Sequence, residues 1–212
     1  MGTFLERGQR VSDQPTRRRQ AAASAGHRGD PVTARTFLGD PDPGVRATAL
    51  GALLRAGDLT EQELQAGLKD PHPTVRSRAA ELIAELHGGG AATAASLLPL
   101  LDDPDPAVVE VAAWASGERE PAEPGAVDRL ATLATEADDA LIRESAVAAL
   151  GSIGHVAGLA AILAATKDKA TVRRRAVIAL APFDGPDVEA AFQRALTDRD
   201  WQVRQAAEDL TT

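Results

Sequence analysis

After Asp70-Pro71 the apolar positions fall at 75, 79, 80, 83 and 86, the three-and-four spacing of one helix face, with Pro73 tolerated in the first turn. Ahead of that turn, Leu64 and Leu68 stand one helical turn apart behind Thr60-Glu61-Gln62-Glu63, a capping-box pattern that opens a shorter helix. The same succession recurs along the chain. Leu97, Leu98, Leu100 and Leu101, and then Leu130 and Leu133, form further short apolar stretches, each leading into a turn and a longer helical pattern. Gly88-Gly89-Gly90, Gly117, Gly151 with Gly154, and Pro182 with Gly185 read as the breaks that follow. The predicted unit is helix, turn, helix, break.

The turn itself repeats. Asp40-Pro41-Asp42-Pro43-Gly44-Val45-Arg46 returns as Asp70 to Arg76 and as Asp103 to Val109, with weaker copies at Ala137 to Arg143, Lys167 to Arg173 and Asp198 to Arg204. The last residues of these copies are 30, 33, 34, 30 and 31 positions apart. Val45, Val75, Val108, Ile142, Val172 and Val203 precede that anchor position, and Ala49, Ala79, Ala112, Ala146, Ala176 and Ala207 stand three after it. Two columns filled in all six copies set the register. A fainter copy lies upstream at Asp13 to Arg19, with Ala22 three later. A helix pair this short cannot bury its apolar stripe alone, so successive pairs must stack on a shared core.

The pattern Asp-Pro-Asp-Pro-x-Val-Arg-x-x-Ala-x-x-Ala-Leu-Gly resembles the HEAT repeat, in the short form shared with phycobilin lyases, over roughly residues 30–212. The resemblance implies an all-α fold, an α-α superhelix (α-solenoid) of about six helical hairpins, and it implies no particular activity. It also implies an alternating structural ladder of Asp40, Arg46, Asp70, Arg76, Asp103, Arg143, Arg173, Asp198 and Arg204 that sets repeat register. The turn aspartates are expected to accept hydrogen bonds from the first amides of each second helix, and His72, in the slot of Asp42 and Asp105, reads as a turn variant.

Composition narrows this further. There are 44 alanines and only six aromatic residues, which favours closely packed helices. Cysteine is absent, removing disulfides and thiolate chemistry. No apolar run approaches the length of a membrane span and the first residues lack a signal-peptide core, so a cytoplasmic, non-membrane protein is expected. Residues 1–39 hold seven arginines against three acids, whereas the rest carries the net negative charge. Residues 1–29 accordingly read as a basic N-terminal segment, either a degenerate capping repeat or a mobile arm, ahead of a solenoid over 30–212.

Catalytic chemistry finds no constellation. His27, His72, His87 and His155 are scattered, no His-Glu dipeptide of the deoxyhypusine hydroxylase type occurs, and Ser152 with His155 lacks an oriented acid. No metal, cofactor or catalytic residue is therefore expected. Departures from the repeat are more informative. Offsets +1, +2 and +5 from the anchor should face outward on the second helices, which line the concave side of HEAT-like stacks. The +5 row reads Gly51, Glu81, Trp114, Ala148, Ile178, Asp209. Val111, Trp114, Ala148 and Ile178 thus form a candidate concave patch, rimmed by Arg78, Glu81, Glu110, Glu144, Arg174 and Arg175, for a protein or peptide partner. The alternative for Trp114 is packing under the connector 118–125. The basic triplets Arg17 to Arg19 and Arg173 to Arg175 suit solvated helix surface better than nucleic acid, since acids share the expected face. Trp201 is expected to cover the end of the core, and Glu208, at an otherwise apolar column, marks a terminal repeat. The expected function is a monomeric, non-enzymatic binding scaffold; the alternative is a HEAT-like enzyme or accessory subunit, bilin-lyase-like or alkylpurine DNA glycosylase-like.

Overall fold

The computed structural model describes the backbone of residues 5–88 and 93–211, and the side chains of 14–87 and 93–211. Among these residues are twelve α-helices and no strand. They are α1 (Leu5–His27), α2 (Pro31–Arg35), α3 (Pro43–Arg55), α4 (Glu61–Leu68), α5 (Pro73–Gly88), α6 (Pro106–Gly117), α7 (Ala126–Glu136), α8 (Ala140–Ile153), α9 (Leu159–Ala165), α10 (Ala170–Ala179), α11 (Pro186–Ala195) and α12 (Trp201–Thr211). The predicted all-α hairpin architecture is present. The glycines at 89 and 90, read as part of a break, lie outside the described residues, as do the first four residues.

Two compact units are distinguishable. One takes in the described residues up to Ile83 with Thr93–Ala95; the other takes in the end of α5 and the residues from Ser96 onward. In the first, α1 packs on α3 and α2 beside both, around Ala25, Ala34, Ala52 and Leu53. In the second, the long second helices α6, α8, α10 and α12 pack in succession as one layer, and α7, α9 and α11 as another. Leu130, Leu150, Ile162 and Leu180 are fully buried in it, each contributing about 1.5–3 kcal/mol through removal from water.

The Asp-Pro turns start the second helices by dividing two tasks between two residues. The second position is the helix cap: Asp42 accepts from the Val45 amide at 3.0 Å, Asp105 from Ala107 at 3.0 Å and Asp139 from Leu141 at 2.9 Å. His72 does the same through Nδ1, accepting from the Thr74 amide at 3.3 Å. The first position, expected to be the cap, instead folds the turn. Asp40, Asp70, Asp103 and Asp198 each accept from the amide two residues on, at 2.8–2.9 Å. At Asp40, Asp70 and Asp198 the carboxylate also meets an arginine from the neighbouring hairpin.

Three sequence expectations change. The leucines at 97–101 form a 3₁₀ turn, Leu98–Asp102, rather than an α-helix. Gly151 does not break α8: it lies inside the helix, where an added Cβ would sit 2.6 Å from the Ala179 Cα of α10. Gly117 meets the Ala149 Cα of α8 at 2.7 Å and Gly26 meets the Ala52 Cα of α3 at 2.7 Å in the same way. At these glycine–alanine crossings the backbones of neighbouring helices come close together. The crossing also resets the upstream copy by one residue, since its anchor is Arg18, which bonds to Asp40 at 2.6 and 3.1 Å, and not Arg19, which reaches Asp42.

Candidate binding face on the second helices

The ladder is built from a forked arginine that holds two things at once. Arg46 donates from Nε and Nη2 to Asp70 of the next hairpin at 2.8 and 2.7 Å, and from Nη1 to the Asp40 carbonyl of its own turn at 2.8 Å. Arg143 bonds likewise to Asp168 (2.6 and 2.9 Å) and the Ala137 carbonyl, and Arg173 to Asp198 (2.9 and 2.7 Å) and the Asp168 carbonyl. Asp168 is the ladder residue the sequence reading missed; it sits one position later in its turn than the other aspartates, and the pairing alone identifies it. Arg204 holds only carbonyls of its own turn, Asp198 and Arg199. The paired arginines hold Asp168 and Asp198 below the usual carboxylate range. At Asp70 burial works the other way, and the bonds from Arg46 and the His72 amide outweigh it. These groups are structural: each partner is spoken for.

The same pairing consumes much of the basic surface. Arg18 and Arg19 hold Asp40 and Asp42, and Arg35 bonds to Glu63 and to Asp58 at 3.0 Å. His155, set beside Ser152 in sequence, uses Nδ1 to cap a 3₁₀ turn at Ala157. Among the described residues no three His, Asp or Glu side chains gather as a metal-binding group, and no helix is long and apolar enough to cross a membrane.

The candidate patch residues divide between the units. Arg78 and Glu81 lie on α5 in the first unit, pair with each other at 2.7 Å, and Arg78 extends over Gly51 of α3. Val111 and Trp114 on α6, Ala148 on α8 and Ile178 on α10 belong to the second unit's layer of second helices, with Glu110, Glu144, Arg174 and Arg175. Trp114 is 43% exposed and Ile178 37%, while Val111 and Ala148 are half-buried. Residues 117–122, at the start of the connector, border a cavity of about 590 Å³ with Ser152 to His155. Arg175 approaches Glu144 at 3.5 Å.

Trp201 departs from expectation. It is 64% exposed and does not close the core; Val203, Ala206 and Ala207 of the same helix do so, packed on Val177 and Ala195. As the first residue of α12 it falls off the buried stripe. It lines instead, with Ile178, Arg174, Gln205, Ala206 and Asp209, a recess of about 280 Å³ between α10 and α12. Glu208, at the otherwise apolar column, is exposed.

Residues 61–151 match the family model for HEAT repeats. No curated protein sequence matches the chain. Among solved structures, a designed armadillo repeat protein in complex with the peptide (KR)4 superposes with a TM-score of 0.63 at 21% identity, over 84% of this chain and 98% of its own. A crystal structure of an engineered protein gives 0.62 at 21%, over 84% and 94%. YibA of E. coli gives 0.59 at 18%, over 82% and 67%. At these identities the likeness is one of fold. Residues 61–151 thus match HEAT repeats by sequence, and the fold is one of stacked helical hairpins similar to that of armadillo repeat proteins.

Proposed function

We propose that the protein is a non-enzymatic scaffold that binds a protein or peptide on the second-helix layer of its second unit. The observation that carries this reading is the placement of its large exposed apolar groups. Trp114, Ile178 and Trp201 stand on α6, α10 and α12, and Leu141 on α8 and Leu210 on α12 are exposed in the same layer. The two other large exposed apolar groups among the described residues, Val32 on α2 and Val156 in a 3₁₀ turn, lie outside that layer. An aromatic group among charged neighbours, on helices already locked to one another, is the arrangement of a preorganised binding surface. A designed protein of the same fold was solved holding a peptide, which supports the class of partner.

The test is selection from a random peptide library on the wild-type protein with Trp114→Ala as counter-selection. Peptides that bind the wild type at least tenfold better than the variant are expected. Enrichment of peptides indifferent to Trp114, at equal folded stability of the two proteins, would place binding elsewhere and overturn the reading.

A further inference from the structure

The three consecutive arginines of α10 have different employments. Arg173 is buried in its pair with Asp198 and Arg175 approaches Glu144. Arg174 makes no ion pair among the described residues, is exposed, and lines the α10–α12 recess with Ile178 and Trp201. Across that recess Asp209 already accepts a hydrogen bond from Gln205 at 2.8 Å. The recess therefore offers an apolar floor of Trp201, Ile178 and Ala206, a carboxylate on the α12 side that accepts from Gln205, and on the α10 side the guanidinium of Arg174. Its volume, about 280 Å³, is below the range of drug-sized ligand sites and suits one side chain with its flanking backbone.

Resting on the reading of this face as a peptide-binding surface, we infer that the recess takes an aliphatic side chain with an acidic side chain next to it. The aliphatic group lies against Trp201 and Ile178, and the carboxylate meets the forked donors of Arg174. A basic neighbour in the same place would face Arg174 without a counter-ion. Asp209 disfavours the reversed orientation, which would set the carboxylate of the peptide against its own. The recess thus discriminates by charge as well as by shape, although the chain as a whole is acidic.

The protein has two tryptophans, one on α6 and one in the recess, so their indole N–H signals report the two places separately. Eight-residue Gly/Ser peptides, acetylated and amidated at their ends and carrying Leu-Glu, Leu-Gln or Leu-Lys, are titrated while both indoles are followed by NMR. The expected result is a Trp201 response to Leu-Glu, about three- to fivefold weaker for Leu-Gln and weaker still for Leu-Lys. Arg174→Gln abolishes the preference while leaving the Leu-dependent response, and Ile178→Ser removes the response altogether. Equal Trp201 responses to all three peptides, or a preference that survives Arg174→Gln, overturns the inference. A response at Trp114 alone also overturns it and leaves the wider reading standing; silence of both indoles toward every peptide overturns both.

Discussion

Two neighbouring junctions in the second unit are closed by different chemistry. Between α8 and α10, Arg143 pairs with Asp168 and Gly151 lets the backbones meet at Ala179. Between α6 and α8 the anchor arginine is replaced by Val109, which is buried, and the turn residue that would receive it is Ala137. Both halves of the ion pair are missing together. Nothing charged is stranded, and the contact of Gly117 with Ala149 remains. Arg129, which reaches Asp102 at 2.6 Å and the Leu101 carbonyl at 3.3 Å, supplies a peripheral tie instead. The ladder is therefore one of two interchangeable locks, and the glycine–alanine crossing is what these two junctions share. Between α10 and α12 the emphasis reverses: the Arg173–Asp198 pair is present and the crossing glycine is replaced by the exposed Ala181.

Acid should separate the junctions most strongly. Asp70, Asp168 and Asp198 are held below the ordinary carboxylate pKa of about 3.9, so their stabilisation is complete above that value and is lost as pH falls through the depressed folded values. Hydrogen exchange between pH 5 and pH 2.5 is expected to lose protection first in α10 and α12, with α6 and its contact on α8 holding longest. Uniform loss along the second unit would mean that the pairs are not what distinguishes the junctions. At neutral pH the corresponding change is Arg173→Leu, which leaves Asp198 and the Asp168 carbonyl without their donor. It should cost about 3 kcal/mol in urea unfolding, against less than about 1 kcal/mol for Val109→Leu.

Transplanting the lock sharpens the comparison at a smaller scale. Val109→Arg alone places a guanidinium opposite Ala137 and should cost about 2 kcal/mol, even with the side chain reaching toward solvent. Adding Ala137→Asp should recover at least half of that, measured as a double-mutant cycle. A coupling near zero would show that the α6–α8 spacing is incompatible with the ionic lock.

How much of this was legible in the chain differs by residue. The columns at the anchor, one before it and three after it named the helices, the stacking and most ladder members, because burial repeats with the period and so does the residue that satisfies it. Asp168 escaped because a one-residue shift within a turn leaves no periodic trace; only the partner's reach defines it. Gly151 and Gly117 escaped for a related reason: glycine near a helix end reads as a stop, and the backbone that approaches it belongs to the next hairpin, about thirty residues on. Trp114 and Ile178 were found as breaks in a column and are exposed. Trp201 was seen and given the wrong task, since nothing local says whether a residue on the first turn of a helix lies over the core or beside it.

The smallest effect concerns those glycines, and its sign decides the matter. Gly→Ala inside a helix ordinarily stabilises by about 0.5–1 kcal/mol, because alanine loses less backbone freedom on folding. Gly51→Ala should behave so: its new Cβ meets only the far end of the Arg78 side chain, at 2.9 Å, which can swing aside. Gly151→Ala meets the Ala179 Cα and Cβ at 2.6 Å, and Gly117→Ala meets the Ala149 Cα at 2.7 Å, where relief requires moving a helix axis. Overpacking of that kind exceeds the propensity gain, leaving a net loss of about 1 kcal/mol at each. Because α6–α8 lacks the arginine that would hold its helices in register, Gly117→Ala should also raise hydrogen exchange across α6, whereas Gly151→Ala should leave α8 protected by the Arg143–Asp168 pair. Equal loosening at both sites would mean that the glycine crossing, and not the ion pair, carries the register of both junctions.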